Sequence, residues 1–263
     1  MTSEKWQDLR PRVLMAFVMA IVGGVAVLSG GLTFKLLVLG SLAAMMWELA
    51  EITGLKAGSK KAFAIAVLSV VSLIMVGEMS GPIAMLWLFA PSLVLQIGPR
   101  KLRLWVFLYG FIIIASCFGL MALRNKFGFE VILWLVALVA VSDIAGYFAG
   151  RSLGGAKVWP KVSPKKTWSG TVAGWIGAIF VGLVFFWIGA EGYEFLWLSP
   201  LLALSGQVGD MVQSALKRAV GVKDSSNLLP GHGGFLDRFD ALIFAVLLLS
   251  FLSHLLPLPF SGV

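Results

Sequence analysis

The chain has 263 residues, of which 59% are hydrophobic and only 13% are charged. That composition, with a mean hydropathy of +0.94, excludes an ordinary soluble domain and indicates a polytopic helical membrane protein. The net charge of +8 does not indicate nucleic-acid binding, because the lysines and arginines sit in short loops between apolar runs, where they set topology and meet anionic headgroups.

Nine apolar runs follow a polar, mildly basic segment at residues 1–12. They lie at about 13–30, 32–50, 62–77, 82–97, 104–123, 130–149, 171–190, 195–213 and 241–258. Most are long enough to span, since spanning takes roughly 20 apolar residues. The runs at 62–77 and 82–97 are short, with a tight turn at Gly77–Pro82, so they form either two short spans or a re-entrant hairpin. We predict an all-α, polytopic bundle of about nine transmembrane helices.

The positions of the basic residues favour nine spans with the N-terminus inside. In that arrangement 18 of the 21 lysines and arginines fall in inner segments, as the positive-inside rule predicts. The inner residues are Lys5, Arg10, Arg12, Lys56, Lys60, Lys61, Arg100, Lys101, Arg103, Arg151, Lys157, Lys161, Lys165, Lys166, Lys217, Arg218, Lys223 and Arg238. Only Lys35, Arg124 and Lys126 fall outside, and losing one span would place basic loops on both sides.

Three of the apolar runs contain carboxylates, namely the second, the sixth and the eighth. Glu48 and Glu51 are one turn apart at the inner end of the second run; we interpret them as interfacial, with the alternative that they face a site. Asp143 lies inside the sixth run and shares a helix face with Tyr147. An ionisable group inside a span is a functional-site hypothesis by default. The small residues of the same helix predict close helix packing: Ser142, Gly146 and Gly150.

A predicted loop joins the sixth and seventh runs, from Arg151 to Trp168. Its centre reads Ser-Pro-Lys-Lys-Thr at 163–167. A solvated, positive-inside loop is an adequate account of Lys157 and Lys161.

The stretch from Ser214 to Asp240 carries four cations and three carboxylates in 27 residues. Asp210 lies just before this stretch, and Ser214 and Lys217 lie at its start. Their spacing places all three on one face of the eighth span. Carboxylates hold divalent cations through hard oxygen ligands, and lysine and arginine neutralise phosphate oxygens. Glycines let backbone N–H groups approach an anion closely, and this stretch has three: Gly231, Gly233 and Gly234. Together these groups are suited to phosphoryl-transfer chemistry.

The same stretch resembles the signature of the phosphatidate cytidylyltransferase (CDP-diacylglycerol synthase) family. The matching residues are Ser214, Leu216, Lys217, Arg218, Lys223, Asp224, Ser226, Leu229, Pro230, His232, Gly233, Gly234, Phe235, Asp237, Arg238, Phe239 and Asp240. The Asp143 run with its Gly-Tyr-Phe-x-Gly-Arg sequence and the 163–167 segment are similar to other family motifs. One departure is Ser169, where the family usually carries an acidic residue.

The resemblance implies the reaction of CTP with phosphatidate to give CDP-diacylglycerol and diphosphate. It implies a magnesium ion held by Asp210 and Asp237, with room for a second, monovalent cation, and it implies further catalytic roles for Lys217, Arg238 and Ser214. The substrate-binding residues that it implies are Lys165, Lys166, Thr167, Arg218, Lys223, His232, Gly233, Gly234, Asp143 and Asp240.

The expected organisation is one integral membrane domain over 1–263, with N-terminal spans in 1–130 and the catalytic part in 131–263. The expected place is a bacterial inner (plasma) membrane, with the site on the cytoplasmic side. CTP, phosphatidate and membrane lipids are the expected partners; nucleic acid is not, and a homodimer is left open.

Other functions remain as alternatives. A CTP-dependent polyprenol or phytol kinase, or a cytidylyltransferase for another lipid phosphate, carries a weaker version of the same site. A membrane transporter is a different class, but the sequence lacks the internal repeat of broken helices that transporters often show, and its charges crowd one face.

The nine-span topology predicts a cytoplasmic N-terminus and an external C-terminus. In a Cys117→Ala background, Ser261→Cys should react with an impermeant maleimide in intact cells, and Ser3→Cys should react only after lysis. Labelling of Ser261→Cys only after lysis would remove one span, and the 62–97 pair is the first candidate.

Overall fold

The computed structural model describes residues 9–55, 58–79, 81–97, 102–188, 192–229, 231, 233–258 and 260, with side chains from residue 13 onward. Within them the chain is almost entirely helical, which confirms the predicted all-α fold. The helices are α1 (Leu9–Ser29), α2 (Gly31–Ile52), α3 (Lys60–Glu78), α4 (Pro82–Leu86), α5 (Ala90–Val94), α6 (Arg103–Ser152), α7 (Trp168–Trp187), α8 (Glu194–Val220) and α9 (Leu236–Leu255). Two short strands are β1 (Lys157–Trp159) and β2 (Ser163–Thr167).

Six of the helices in the described part of the chain are long and apolar enough to cross a membrane, namely α2, α3, α6, α7, α8 and α9. Two shorter apolar segments are Val13–Ser29 and Pro82–Val94. Large apolar side chains remain exposed on the long helices, including Phe63 (67%), Phe180 (63%) and Trp187 (84%). Helices that are apolar on all sides belong in lipid, so the chain is a multi-pass membrane protein. The number of its spans stays a prediction.

The longest helix, α6, is broken at Gly128. A straight helix of its 50 residues would be about 75 Å long, more than twice the ~30 Å apolar thickness of a bilayer. Gly128 has φ 82° and ψ −171°, a conformation that glycine adopts without steric cost. The break separates the predicted runs at 104–123 and 130–149. The loop expected between them is helical up to the glycine.

The short run at 82–97 forms two five-residue helices, α4 and α5, whereas the run at 62–77 lies within the single helix α3. Pro91 has no N–H to donate to the carbonyl of Trp87, four residues earlier. That carbonyl accepts from the backbone N–H of Ala90 at 3.2 Å and from the hydroxyl of Ser72 in α3. The irregular backbone is therefore satisfied by its own chain and by the neighbouring helix, as a membrane segment requires.

The chain forms two compact units. Unit 1 comprises Met1–Phe118 and Ala219–Phe239, and unit 2 comprises Gly119–Arg218 and Asp240–Val263. Fully buried side chains in unit 1 include Leu42, Met46, Leu49, Leu95 and Ile113. Those in unit 2 include Trp134, Leu135, Leu138, Phe195 and Leu202. The predicted single integral domain stays a prediction.

The segment predicted as a loop at 151–168 contains a two-stranded antiparallel ribbon, which corrects that expectation. Strand β1 pairs with β2 through Lys157 opposite Thr167 and Trp159 opposite Ser163. Strands of three and five residues are too short for alternation of apolar and polar residues to reveal them. The ribbon places the Ser-Pro-Lys-Lys-Thr segment on β2, directly before α7.

Candidate active site

Three carboxylates from three helices lie close together in unit 2. Asp143 is on α6, Asp210 on α8 and Asp240 on α9. The charge of Asp143 interacts with that of Asp210, and the charge of Asp240 interacts with both. We call these three residues the acidic cluster. Like charges at short range repel strongly unless cations compensate them, so positive charge is expected beside this cluster.

Two lysines provide positive charge beside the acidic cluster. The ammonium of Lys166, on β2, lies 2.5 Å from Oδ2 of Asp210, and both side chains are partly exposed (26% and 32%). Lys217 is 8% exposed, and its charge acts favourably on Asp240. The hydroxyl of Ser214 donates to Oδ1 of Asp210 over 3.2 Å. Both oxygens of Asp210 therefore have a partner on the protein.

Glycine brings α8 and α9 close enough to form the acidic cluster. A Cβ on Gly209 would lie 2.6 Å from the carbonyl oxygen of Asp240. One turn earlier, a Cβ on Gly206 would lie 3.1 Å from the carbonyl oxygen of Ala241. Any side chain at Gly209 would force the two helices apart and carry Asp240 away from Asp210.

The small-residue stripe of α6 packs against α7, as the sequence predicted. A Cβ on Gly170 would lie 2.5 Å from the carbonyl oxygen of Gly146, and one on Gly150 would lie 2.9 Å from Oγ1 of Thr167. The two backbones are therefore almost in direct contact, which is the usual way that membrane helices associate.

Gln207 on α8 joins three elements, and the sequence analysis missed it. Its amide nitrogen donates to the carbonyl of Thr171 (3.2 Å) and lies 3.5 Å from Oγ of Ser142. Its amide oxygen accepts from the indole of Trp175 at 3.0 Å, and its backbone carbonyl lies 3.5 Å from the ammonium of Lys166. The sequence does contain a sign of this role, because Gln207 is a primary amide within an apolar run and such groups need hydrogen-bond partners.

Thr167 fixes the ribbon to the start of α7. Its hydroxyl oxygen accepts from the backbone N–H of Gly170 (3.2 Å) as an N-cap. Ser169 lies 3.0 Å from the same hydroxyl and donates to the carbonyl of Gly154 at 2.5 Å. Lys166 is thereby held next to a helix end. The predicted substrate contact of Thr167 stays a prediction beside this capping role.

In unit 1, the segment 221–235, here called the signature loop, is organised by Asp237. Oδ2 of that residue accepts from the backbone N–H groups of Ser225 (2.8 Å) and Gly234 (3.1 Å). Oδ1 accepts from the hydroxyl of Ser225 at 2.9 Å. Carboxylates that bind metals commonly accept hydrogen bonds as well, so these bonds are compatible with the predicted metal role, which stays a prediction.

The predicted use of glycine N–H groups for anion binding needs correction. The N–H of Gly233 donates to the carbonyl of Leu229 at 3.1 Å, and the N–H of Gly234 donates to Asp237. Both groups are therefore bonded within the protein, one to a carbonyl of the loop and the other to a carboxylate in the first turn of α9. Substrate contact by other atoms of these glycines stays a prediction. Gly233, at φ 84°, is in a conformation that favours glycine.

Glu48, interpreted above as interfacial, is fully buried. Its Oε1 accepts from the backbone N–H of Phe235 at 2.8 Å and from the hydroxyl of Ser226 at 2.5 Å. Its Oε2 accepts from the backbone N–H of Leu236 at 2.7 Å. The sequence does contain a sign of this role, because Glu48 is a carboxylate within an apolar run, as Asp143 is. Glu51 instead accepts from the backbone of Gly58.

The remaining predicted residues are divided between the two units. Lys165 and Arg218 are exposed in unit 2, and Lys223 and Arg238 are exposed in unit 1. His232 lies outside the described residues, so its predicted role stays a prediction.

The donor set of the acidic cluster suits magnesium. The cluster offers hard carboxylate oxygens, which Mg²⁺ prefers as ligands. The ammonium groups of Lys166 and Lys217 lie beside these oxygens. Within the described residues no three carboxylate, imidazole or thiol groups form a complete metal cage. Mg²⁺ is usually held by one or two carboxylates plus water and substrate phosphates, so a partial set on the protein fits a metal that arrives with a nucleotide.

Comparisons with known proteins relate the chain to nucleotide-transferring enzymes. The profile of the Cytidylyltransferase family matches residues 10–256. A phosphatidate cytidylyltransferase of Brucella suis biovar 1 is 35% identical over 252 residues, covering 92% of each chain. One of Bacillus subtilis is 40% identical over 147 residues, covering 54% of this chain and 55% of the relative. One of Staphylococcus aureus is 39% identical over 132 residues, covering 48% and 49%.

Gly234 is expected to tolerate no side chain. A Cβ there would lie 2.7 Å from Cβ of Ser225 and 2.9 Å from the backbone nitrogen of Ser226. Gly234→Ala should therefore lower the free energy of unfolding by about 1–3 kcal/mol and speed amide exchange in the signature loop. Gly40→Ala in α2 is the control, since its Cβ meets nothing within 4 Å. Equal unfolding curves for the two variants in mixed micelles would contradict the prediction.

Proposed function

The chain belongs to the cytidylyltransferase family, and on that premise we propose that it transfers the cytidylyl group of CTP to phosphatidate. The products are CDP-diacylglycerol and diphosphate. The observation that best supports this function is the Lys166–Asp210 ion pair beside Asp143 and Asp240, on helices apolar enough to span a bilayer. A charged, oxygen-rich site next to lipid is what a soluble nucleotide and a lipid phosphate both require.

The proposed reaction joins two anions. An oxygen of the lipid phosphate bonds to the α-phosphorus of CTP, and the bond from that phosphorus to the departing diphosphate breaks. The attacking phosphate is already largely deprotonated near neutral pH, so the protein does not have to supply a base. Its task is to position the reactants and to compensate the charge that develops.

Lys166 is the residue best placed to exchange its ion-pair partner on the protein for a phosphate of the substrate. It is paired with Asp210 but partly exposed, so a phosphate oxygen can replace the carboxylate. Ser214 donates to the other oxygen of Asp210, which keeps this carboxylate oriented. Lys217 is buried and its charge acts favourably on Asp240, so its proposed role is to hold that carboxylate in place.

The exposed basic side chains are proposed to bind the triphosphate. Arginine offers a planar fork that matches two phosphate oxygens, while lysine acts as a point charge. The resemblance of the signature assigns this role to Arg218, Arg238, Lys165 and Lys223. Asp143 and Asp240 are proposed to contact substrate groups or their bound water.

Magnesium is part of the proposal, with Asp210 as a ligand and Asp237 as the second ligand expected from the sequence. When bound, the ion would neutralise charge on the phosphates of CTP. The protein's own contribution is to fix these carboxylates by hydrogen bonds, from Ser214 to Asp210 and from Ser225 and Gly234 to Asp237. A further monovalent cation is part of the proposal.

We place the reaction at the cytoplasmic face of a bacterial inner membrane. The partition of basic residues puts the ribbon and the signature loop on the inner side, where CTP is available. Phosphatidate would reach the site laterally from the bilayer.

The proposed activity is tested by turnover of the purified protein with phosphatidate, magnesium and each of the four nucleoside triphosphates in mixed micelles. We expect a CDP-lipid and diphosphate from CTP. Absence of any liponucleotide with all divalent metals would overturn the proposal. Transfer of only the γ-phosphate to a lipid alcohol would establish the kinase alternative.

Asp210→Asn is expected to lower kcat by about 10²–10³-fold, the usual cost of removing an electrostatic group at a reacting centre. Asparagine keeps the shape but removes the charge that holds Lys166 and the metal. Asp237→Asn should lose activity as well. The control is Asp224→Asn, which removes an exposed carboxylate of the signature loop. Near-normal activity of Asp210→Asn at low magnesium would refute the assignment.

A further inference from the structure

Glu48 is the one acidic side chain in the described part of the chain that is fully buried, and it lies far in sequence from the signature. We propose that Glu48 is a positioning residue for the reaction: it fixes the signature loop and the start of α9 by accepting three hydrogen bonds. The inference rests on the proposed function, because the loop it holds carries residues assigned to CTP binding.

Three hydrogen bonds hold the buried carboxylate of Glu48. In the described part of the chain its partners are a hydroxyl and two backbone N–H groups, from Ser226, Phe235 and Leu236. The first N–H groups of a helix have no partner within that helix, and the helix end carries a partial positive charge. Glu48 therefore caps α9 from a different helix, α2, where a capping residue would ordinarily come from the preceding loop.

The three bonds hold both ends of the signature turn. Ser226 precedes the turn that the Leu229–Gly233 backbone bonds close, and Phe235 and Leu236 follow it. The next residue, Asp237 in the first turn of α9, accepts bonds from the backbone N–H groups of Ser225 and Gly234. The loop is thus fixed by one carboxylate from α9 and by one from α2, about 180 residues earlier in the sequence.

Glutamine cannot reproduce this arrangement. In Glu48→Gln one carboxylate oxygen becomes an NH₂ donor, and in either orientation it faces a backbone N–H, that of Phe235 or that of Leu236. At least one of these donors loses its acceptor, and the charge opposite the helix end disappears. The overall shape of α2 is unchanged, so the effect should be local to the loop.

The test measures kcat, KM for CTP, and amide exchange of the detergent-purified full chain. Glu48→Gln should lower kcat by about 10–100-fold, the range found for groups that orient catalytic residues, and should speed exchange in peptides covering 221–239. Exchange in α3 and α7 should not change. The matched control is Glu51→Gln, on the same helix, where glutamine can still accept the single bond from Gly58; its kcat should stay within about twofold of wild type.

Each outcome counts for or against the inference. An inactive wild-type protein would refute the proposed function itself. With an active wild type, equal kcat for the two glutamine variants, or faster exchange throughout the chain, would refute positioning by Glu48. If Glu48→Gln does not fold, Ser226→Ala gives the result. It removes the bond to Glu48 and the bond that Oγ of Ser226 accepts from the backbone N–H of Leu228, and a kcat unchanged from wild type would refute the inference.

Discussion

A charge placed among apolar helices has to be met by an opposite charge or by hydrogen-bond donors, and both units of this protein are arranged around that constraint. Leaving an ion unpaired in such surroundings is far more costly than any single packing defect. In unit 2 the constraint is met by ion pairing, with Lys166 on Asp210 and Lys217 beside Asp240. In unit 1 it is met by hydrogen bonds, with backbone and serine donors on Asp237 and Glu48.

Close backbone contact makes the pairing in unit 2 possible. Lipid offers no hydrophobic force between helices, so membrane helices associate where small residues let their backbones approach. Gly209 permits this for α8 and α9, and Gly170 with Gly146 permits it for α7 and α6. Gln207 then links α8 to α7 through bonds to its amide. The positions of the three carboxylates are consequences of this packing.

The two ways of compensating charge suit different tasks in a transfer between anions. An ion pair with partly exposed partners can exchange one partner for a substrate phosphate at little cost, as proposed for Lys166. A fully buried carboxylate bound by three short hydrogen bonds cannot exchange readily, so it is suited to holding backbone in place. Glu48 belongs to the second kind, and the loop it fixes lies within the charged stretch from Ser214 to Asp240.

The sequence alone determined the helical membrane fold, the break near residue 128, the small-residue stripe of α6 and the identity of the acidic residues of the cluster. Each depends on hydropathy, on local backbone preference or on a specific motif, and these are properties of neighbouring residues. Only the tertiary structure decided that Lys166 pairs with Asp210, that the N–H groups of Gly233 and Gly234 are used within the loop, and that Glu48 caps α9. The bonds of Glu48 join residues 178 to 188 positions apart. Such contacts depend on how helices pack, and helical periodicity says which residues share a face but not which distant group that face meets.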